Sequence, residues 1–159
     1  MSHARSEYTD FQSLTPDAFG AVRALSAIAA KAGLDKQLLE LIKIRASQIN
    51  GCAFCLQYHV LQAETLGLAE DKINLVAVWR EAPQFSPRER AALAWTEALT
   101  VLPNGVSDDV FAQASAEFDE KQLMYLTSAI AAINTWNRFG AAYRWTPPAR
   151  QTNASAAAG

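Results

Sequence analysis

The hydrophobic positions of this chain recur mostly at helical spacing, and the strict alternation that marks a strand is hard to find. The longest such pattern runs from about residue 119 to residue 143, and its apolar positions fall three or four residues apart. They are Leu123, Leu126, Ile130, Ile133 and Trp136. Ser86-Pro87-Arg88-Glu89 is a strong helix start, because it combines a capping box with proline at the first helical position. The sequence therefore predicts an all-α protein.

Caps and breakers divide the chain into about seven helices, which we expect to pack as one compact bundle. The predicted helices lie near residues 16–32, 35–50, 52–67, 70–80, 87–101, 107–117 and 119–143. Residues 1–14 are predicted to be a flexible N-terminal segment and residues 15–146 the folded domain. Residues 147–159, which begin with Pro147-Pro148, are predicted to be a flexible tail.

Composition narrows the functional classes. The chain has 159 residues, half of them hydrophobic and 19% charged, which is typical of one globular domain. Its net charge is −2 and no run of Lys or Arg stands out, so we expect no nucleic-acid or anionic-membrane partner. No apolar stretch is long enough to cross a bilayer, and residues 1–10 lack the apolar core of a signal peptide. We therefore expect a cytoplasmic protein.

The two cysteines, Cys52 and Cys55, form one CxxC motif, with His59 four residues further on. On a helix that starts near Cys52, all three side chains would share one face. Cysteines at this spacing can form a disulfide, and a helix N-terminus stabilises a thiolate there. Such a thiolate can attack a peroxide and become a sulfenic acid. The second cysteine then condenses with this sulfenic acid, and a disulfide forms. A reductant must then reopen that disulfide by thiol exchange.

Three questions stay open at this level. Because His59 is the only local base and lies one turn after Cys55, we favour Cys55 as the attacking cysteine, although thioredoxin-type motifs use the first one. Zinc binding by Cys52, Cys55, His59 and either Glu40 or water is a competing hypothesis. Glu40 alone could equally be a solvated carboxylate paired with Lys43. The residue pattern favours redox chemistry, with no metal and no cofactor.

The motif resembles that of a known family. Glu40 is followed by eleven residues, then Cys52-x-x-Cys55, then three residues and His59. This pattern is similar to the core motif of the AhpD-like alkylhydroperoxidases, which are members of the carboxymuconolactone decarboxylase superfamily. The stretches 45–51 and 133–138 resemble the same family. The resemblance covers roughly residues 34–143.

The resemblance implies an AhpD-like all-α fold that assembles as homotrimers or homohexamers. It also implies that Cys55 is the peroxidatic cysteine, that Cys52 is the resolving one, and that a proton relay runs from Glu40 through water and His59 to Cys55. The substrate would be hydrogen peroxide or an organic hydroperoxide, and the reductant an unidentified thiol or lipoyl-type dithiol. The best-known members have a second histidine between the cysteines, where this chain has Phe54.

The expected function is thus a thiol-dependent peroxidase with an antioxidant role. Two alternatives remain: a redox-responsive interaction module with low turnover, which the substitution by Phe54 motivates, and a lyase of the carboxymuconolactone decarboxylase type. The aromatic residues Phe54 and Tyr58 flank the motif and are predicted to line an apolar pocket, whereas Trp136 and Trp145 are interpreted as core or subunit-contact residues.

Overall fold

The computed structural model describes residues 5–150, which form eight α-helices and two short 3₁₀ turns and contain no strand. The α-helices are α1 (Tyr8–Leu14), α2 (Pro16–Lys31), α3 (Lys36–Asn50), α4 (Ala53–Thr65), α5 (Glu70–Leu75), α6 (Pro87–Thr100), α7 (Asp108–Glu117) and α8 (Glu120–Tyr143). The 3₁₀ turns are Val76–Val78 and Leu102–Asn104. The prediction of an all-α fold is confirmed. No helix in the described part of the chain is both long and apolar enough to span a membrane.

Helix starts follow from local side-chain chemistry. Asp35 accepts a hydrogen bond from the backbone N–H of Leu38, and Ser86 with Glu89 forms a reciprocal capping box behind Pro87. Each cap satisfies a backbone donor that has no partner inside its own helix. These short-range signals are the reason why the predicted helix starts agree with the observed ones.

The N-terminal region differs from the prediction. Residues 8–14, which were expected to belong to a flexible segment, form helix α1, and the Phe11 side chain is buried against Phe19 and Trp145. The aromatic partners that stabilise α1 are distant in sequence, so local patterning does not reveal them. Thr15 is the N-cap residue of α2, but its side chain makes no capping hydrogen bond, because its hydroxyl donates to the carbonyl of Phe11 in α1.

The C-terminal segment is described only as far as residue 150. Thr146 donates two hydrogen bonds to the carboxylate of Glu7, one from its backbone N–H and one from its hydroxyl. Arg150 forms a bidentate ion pair with Glu64 on α4. The tail predicted for residues 147–159 lies outside the described residues from position 151 onward, as do residues 1–4 of the predicted N-terminal segment.

Helices α3 and α8 form the centre of the fold. Helix α3 packs against α4, α6 and α8, while α8 also packs against α2 along much of its length. Two large hydrophobic clusters lie on opposite sides of α3, one shared with α6 and α8 and the other with α4 and α6. A third, smaller cluster contains Ala46, Ile133 and both cysteines. This arrangement places the CxxC motif where α3, α4 and α8 meet.

Candidate active site

The turn between α3 and α4 positions the CxxC motif. Gly51 ends α3 with a positive φ of 66°, a conformation that favours glycine, and the backbone N–H of Cys52 then donates to the carbonyl of Ser47. Cys52 is the N-cap of α4, and its sulfur accepts a hydrogen bond from the backbone N–H of Cys55 at 3.3 Å. The positive end of the α4 dipole therefore faces the sulfur of Cys52 and stabilises negative charge there.

The two cysteines form a disulfide, with their Cα atoms 5.4 Å apart. Both are deeply buried, with exposed fractions of 1% for Cys52 and 3% for Cys55. They differ in their surroundings, because Cys55 lines a cavity and Cys52 is not part of its wall. A small molecule in that cavity would therefore meet the sulfur of Cys55 first.

Helix α8 approaches the disulfide through a glycine. A Cβ atom placed on Gly140 would lie 2.5 Å from Sγ of Cys52 and 3.2 Å from Sγ of Cys55. Real Cβ atoms essentially never come within 3.0 Å of another heavy atom, so only glycine fits here without a shift. Sequence patterning missed this residue, although an isolated glycine inside a long helix, which costs about 1 kcal/mol relative to alanine, is a signal of close packing.

Glu40 and His59 form a direct hydrogen-bonded pair beside the cavity. Oε2 of Glu40 lies 2.7 Å from Nδ1 of His59, and Oε1 accepts a hydrogen bond from Nζ of Lys43 at 2.8 Å. The ion pair with Lys43 is present as expected for a solvated carboxylate, but Glu40 is only 7% exposed. The resemblance implied a water between Glu40 and His59. The two side chains are instead in direct contact at 2.7 Å, which leaves no room for a water between them.

The pair has a defined charge state. Burial alone would raise the pKa of Glu40, but the hydrogen bonds and charges of His59 and Lys43 outweigh burial and hold this pKa below its usual value. Burial lowers the pKa of His59, and Lys43 lowers it further, against the opposing effect of Glu40. The carboxylate is therefore ionised and the imidazole neutral near pH 7. Since the carboxylate can only accept, Nδ1 carries the proton and Nε2 is left as a free base.

A cavity of about 380 Å³ connects these groups. Its wall includes Glu40, Cys55 and His59, so the structure brings together three of the four predicted site residues on one surface. The prediction that Phe54 and Tyr58 line a pocket is confirmed. Trp136 and Trp145 are packed in an aromatic cluster as expected but also reach the cavity wall, as do Tyr8 and Arg23, which sequence analysis did not single out.

A buried polar network holds α8 against α3 next to the motif. Asn137 is fully buried; its amide nitrogen donates to the hydroxyl of Ser47, and its carbonyl oxygen accepts from the side chain of Asn50. Asn50 also donates to Asn134. Buried amides need partners of this kind, and the network fixes the helix that carries Gly140. Among residues 5–150, no group of three or more His, Cys, Asp or Glu side chains is arranged to hold a metal ion.

The fold and the site define an all-helical protein in which a CxxC disulfide and a buried Glu–His pair lie at one cavity. The sequence profile of the Carboxymuconolactone decarboxylase family matches residues 16–98, and the chain belongs to this family as an AhpD-like member. It is 33% identical over 138 residues to the uncharacterized protein YdfG of Bacillus subtilis, covering 86% of this chain and 94% of that protein.

Solved structures agree with this assignment. The crystal structure of ATU0492 from Agrobacterium tumefaciens, a protein of unknown function suggested to be an antioxidant defence protein AhpD, has a TM-score of 0.86 and 41% identity. The match covers 93% of this chain and all of that one. The debrominase Bmp8, solved with 2,3,4-tribromopyrrole, shares the fold with a TM-score of 0.79 at 20% identity, covering 87% of this chain and 74% of its own. One fold thus carries more than one chemistry.

Proposed function

We propose that this protein is a thiol-dependent peroxidase that reduces hydroperoxides through a Cys52–Cys55 dithiol–disulfide cycle. One observation carries the proposal: the cavity joins the sulfur of Cys55 to a His59 imidazole whose Nδ1 is bonded to an ionised carboxylate. That combination supplies a nucleophile and a base beside one space where a substrate can bind. An antioxidant role in the cytoplasm, where thiols are kept reduced, fits this chemistry.

In the first half-reaction, Nε2 of His59 takes the proton of the Cys55 thiol. The thiolate attacks the terminal oxygen of the hydroperoxide, a sulfur–oxygen bond forms, and the oxygen–oxygen bond breaks. The imidazolium returns its proton to the leaving alkoxide, which departs as an alcohol, or as water from hydrogen peroxide. Cys55 is left as a sulfenic acid, oxidised by two electrons. Glu40 stabilises the transient imidazolium because its charge lies 2.7 Å from Nδ1.

In the second half-reaction, Cys52 resolves the sulfenic acid. Its sulfur attacks the sulfur of Cys55, the sulfur–oxygen bond breaks, and hydroxide leaves as water with the proton of the Cys52 thiol. An external dithiol, of lipoyl type or another thiol class, then reduces the disulfide by two electrons and is itself oxidised to a disulfide. The hydrogen bond from the backbone N–H of Cys55 to the sulfur of Cys52 favours the Cys52 thiolate in both steps.

The test uses the two single serine variants, purified in the reduced form. Cys55→Ser is expected to lose peroxide consumption, because no thiol remains on the cavity wall. Cys52→Ser is expected to react once and then stop, with one sulfenic acid per chain that a dimedone probe and mass spectrometry locate at Cys55. If both variants consume peroxide at the rate of the unmodified protein, the proposal is wrong.

We also infer that the chain assembles as a homotrimer or homohexamer. Its α7–α8 surface carries Phe111 and Met124, whose side chains are more than half exposed and border a groove lined by Trp95 and Leu123. Exposed apolar patches of this kind often mark subunit contacts. Sedimentation velocity on the reduced and the oxidised protein would give the subunit number, and a monomer at micromolar concentration would contradict this inference.

A further inference from the structure

The mouth of the active-site cavity carries a positive charge that the peroxidase chemistry does not use. Three charged side chains line the wall: Glu40, Lys43 and Arg23. Glu40 and Lys43 neutralise each other in a 2.8 Å ion pair. Arg23, an exposed residue of α2, makes no ion pair within residues 5–150. With His59 neutral, the cavity therefore has a net charge of about +1, contributed by the guanidinium of Arg23.

Two tyrosines accompany Arg23 on the wall. Tyr8 stacks on one side of Phe54, with ring centroids 5.2 Å apart, and Tyr58 stacks on Phe54 at 6.3 Å. Arg23 and Tyr8 share a neighbour, since the Phe19 ring lies 5.9 Å from the guanidinium carbon and 5.4 Å from the Tyr8 ring. Guanidinium and phenol groups all donate hydrogen bonds, and together they suit a carboxylate ligand.

Much of the remaining wall is apolar. Phe54, Ile133 and Trp136 line it and pack with Cys55 in one hydrophobic cluster, and the indole N–H of Trp136 is already bonded to the hydroxyl of Ser26. A volume of about 380 Å³ is at the small end of the range for organic ligands and far exceeds the needs of hydrogen peroxide. A ligand that fills this cavity would have an apolar body, with one polar end at Arg23 and the other at the sulfur.

We propose that the substrate is an organic hydroperoxide that bears a carboxylate, with Arg23 holding the carboxylate while the peroxide group reaches Cys55. This inference rests on the proposed peroxidase function and names its substrate class. The reaction converts the hydroperoxide to the corresponding hydroxy acid and water while the dithiol becomes a disulfide. Arg23 is a binding residue in this scheme and takes no part in the bond changes.

The kinetic test compares cumene hydroperoxide carrying a para-carboxylate with its methyl ester, which has the same apolar body and no charge. Dithiothreitol serves as the reductant, so that only the peroxide can carry the carboxylate. We expect kcat/KM to be about tenfold higher for the acid than for the ester, the factor of a charge-assisted hydrogen bond at a partly exposed site. In Arg23→Gln this ratio should fall to about one. Lys31→Gln removes the same charge from α2 outside the cavity and should keep the ratio.

A binding measurement separates this inference from the peroxidase proposal. Para-isopropylbenzoate has the carboxylate and the apolar body but no peroxide, and Trp136 and Trp145 on the wall should report its binding as fluorescence quenching. Quenching that Arg23→Gln weakens about tenfold and Lys31→Gln leaves unchanged would support the carboxylate site even if no peroxide is consumed. Peroxide reduction with equal kcat/KM for acid and ester in all three proteins would overturn the inference and leave the peroxidase proposal intact.

Discussion

Replacing Gly140 by alanine should destabilise the oxidised protein and stabilise the reduced one. In the oxidised form, the new Cβ would lie 2.5 Å from Sγ of Cys52 and 3.2 Å from Sγ of Cys55. The disulfide ties both sulfurs to each other, and Ile133 and Ala46 pack around them, so neither sulfur can rotate away. In the reduced form, Cys52 can change its side-chain rotamer and release the contact.

Two opposing effects set the magnitude. Alanine in place of a helical glycine stabilises a helix by about 1 kcal/mol, which applies to both redox forms. Overpacking one methyl group in a close-packed core costs about 1–3 kcal/mol, which applies mainly to the oxidised form. We therefore expect Gly140→Ala to change the free energy of unfolding by about +1 kcal/mol in the reduced protein and by about 0 to −2 kcal/mol in the oxidised protein. The difference should raise the midpoint potential by about 20–60 mV, since 30 mV corresponds to about 1.4 kcal/mol.

Urea unfolding of both redox forms measures the stabilities, and equilibration with dithiothreitol buffers measures the potential. Gly20→Ala is the matched control, because Gly20 lies inside α2 and a Cβ atom at this position would have nothing within 4 Å of it. This control should gain about 1 kcal/mol in both redox forms. Equal stabilisation of the oxidised protein by the two substitutions would refute the close approach of α8 to the disulfide.

Two further predictions concern the Glu40–His59 pair. Glu40→Gln should lower the rate of Cys55 oxidation by about 10- to 100-fold, because the imidazolium loses its counter-charge, and stopped-flow measurement of sulfenic acid formation would check this. The pKa of His59 is lowered from 6.5, so the imidazole is still unprotonated when the pH reaches 6.5 from above. The decline of kcat/KM on the acid side should therefore have its midpoint below pH 6.5. An acid limb above pH 6.5 in a pH–rate profile would contradict the assigned charge state.

The parts of the fold that the sequence predicts are those governed by short-range rules. The caps at Asp35 and Ser86 were predictable because each satisfies a backbone N–H three residues away. The helical placement of Cys52, Cys55 and His59 follows from the same rules, since Gly51 ends one helix and Cys52 begins the next. Short-range chemistry therefore accounts for the elements and for the order of the motif.

The parts that the sequence does not predict depend on contacts between distant segments. Helix α1 is stabilised by Phe11, whose ring stacks on Phe139 with centroids 4.2 Å apart, a pairing that no local pattern indicates. From the sequence, Arg23 is one more exposed charge of a helix, and only the packing of α2 against α8 shows that it lines the cavity. Burial of Glu40 is of the same kind, because the i,i+3 spacing to Lys43 is equally compatible with a solvated ion pair.

In the proposed cycle, the different environments of the two sulfurs would give them different roles in the two half-reactions. Only Cys55 lines the cavity, so a peroxide and a reducing thiol would reach the same atom by the same route. When the thiol attacks Cys55, the departing thiolate is Cys52, which accepts the N–H of Cys55 and lies at the positive end of α4. A stabilised leaving thiolate accelerates thiol exchange. If the protein is the peroxidase that we propose, the Cys52 N-cap position assists reduction of the disulfide. The cavity, His59 and Glu40 assist attack by Cys55 on the oxidant, so the start of α4 contributes to both halves of that cycle.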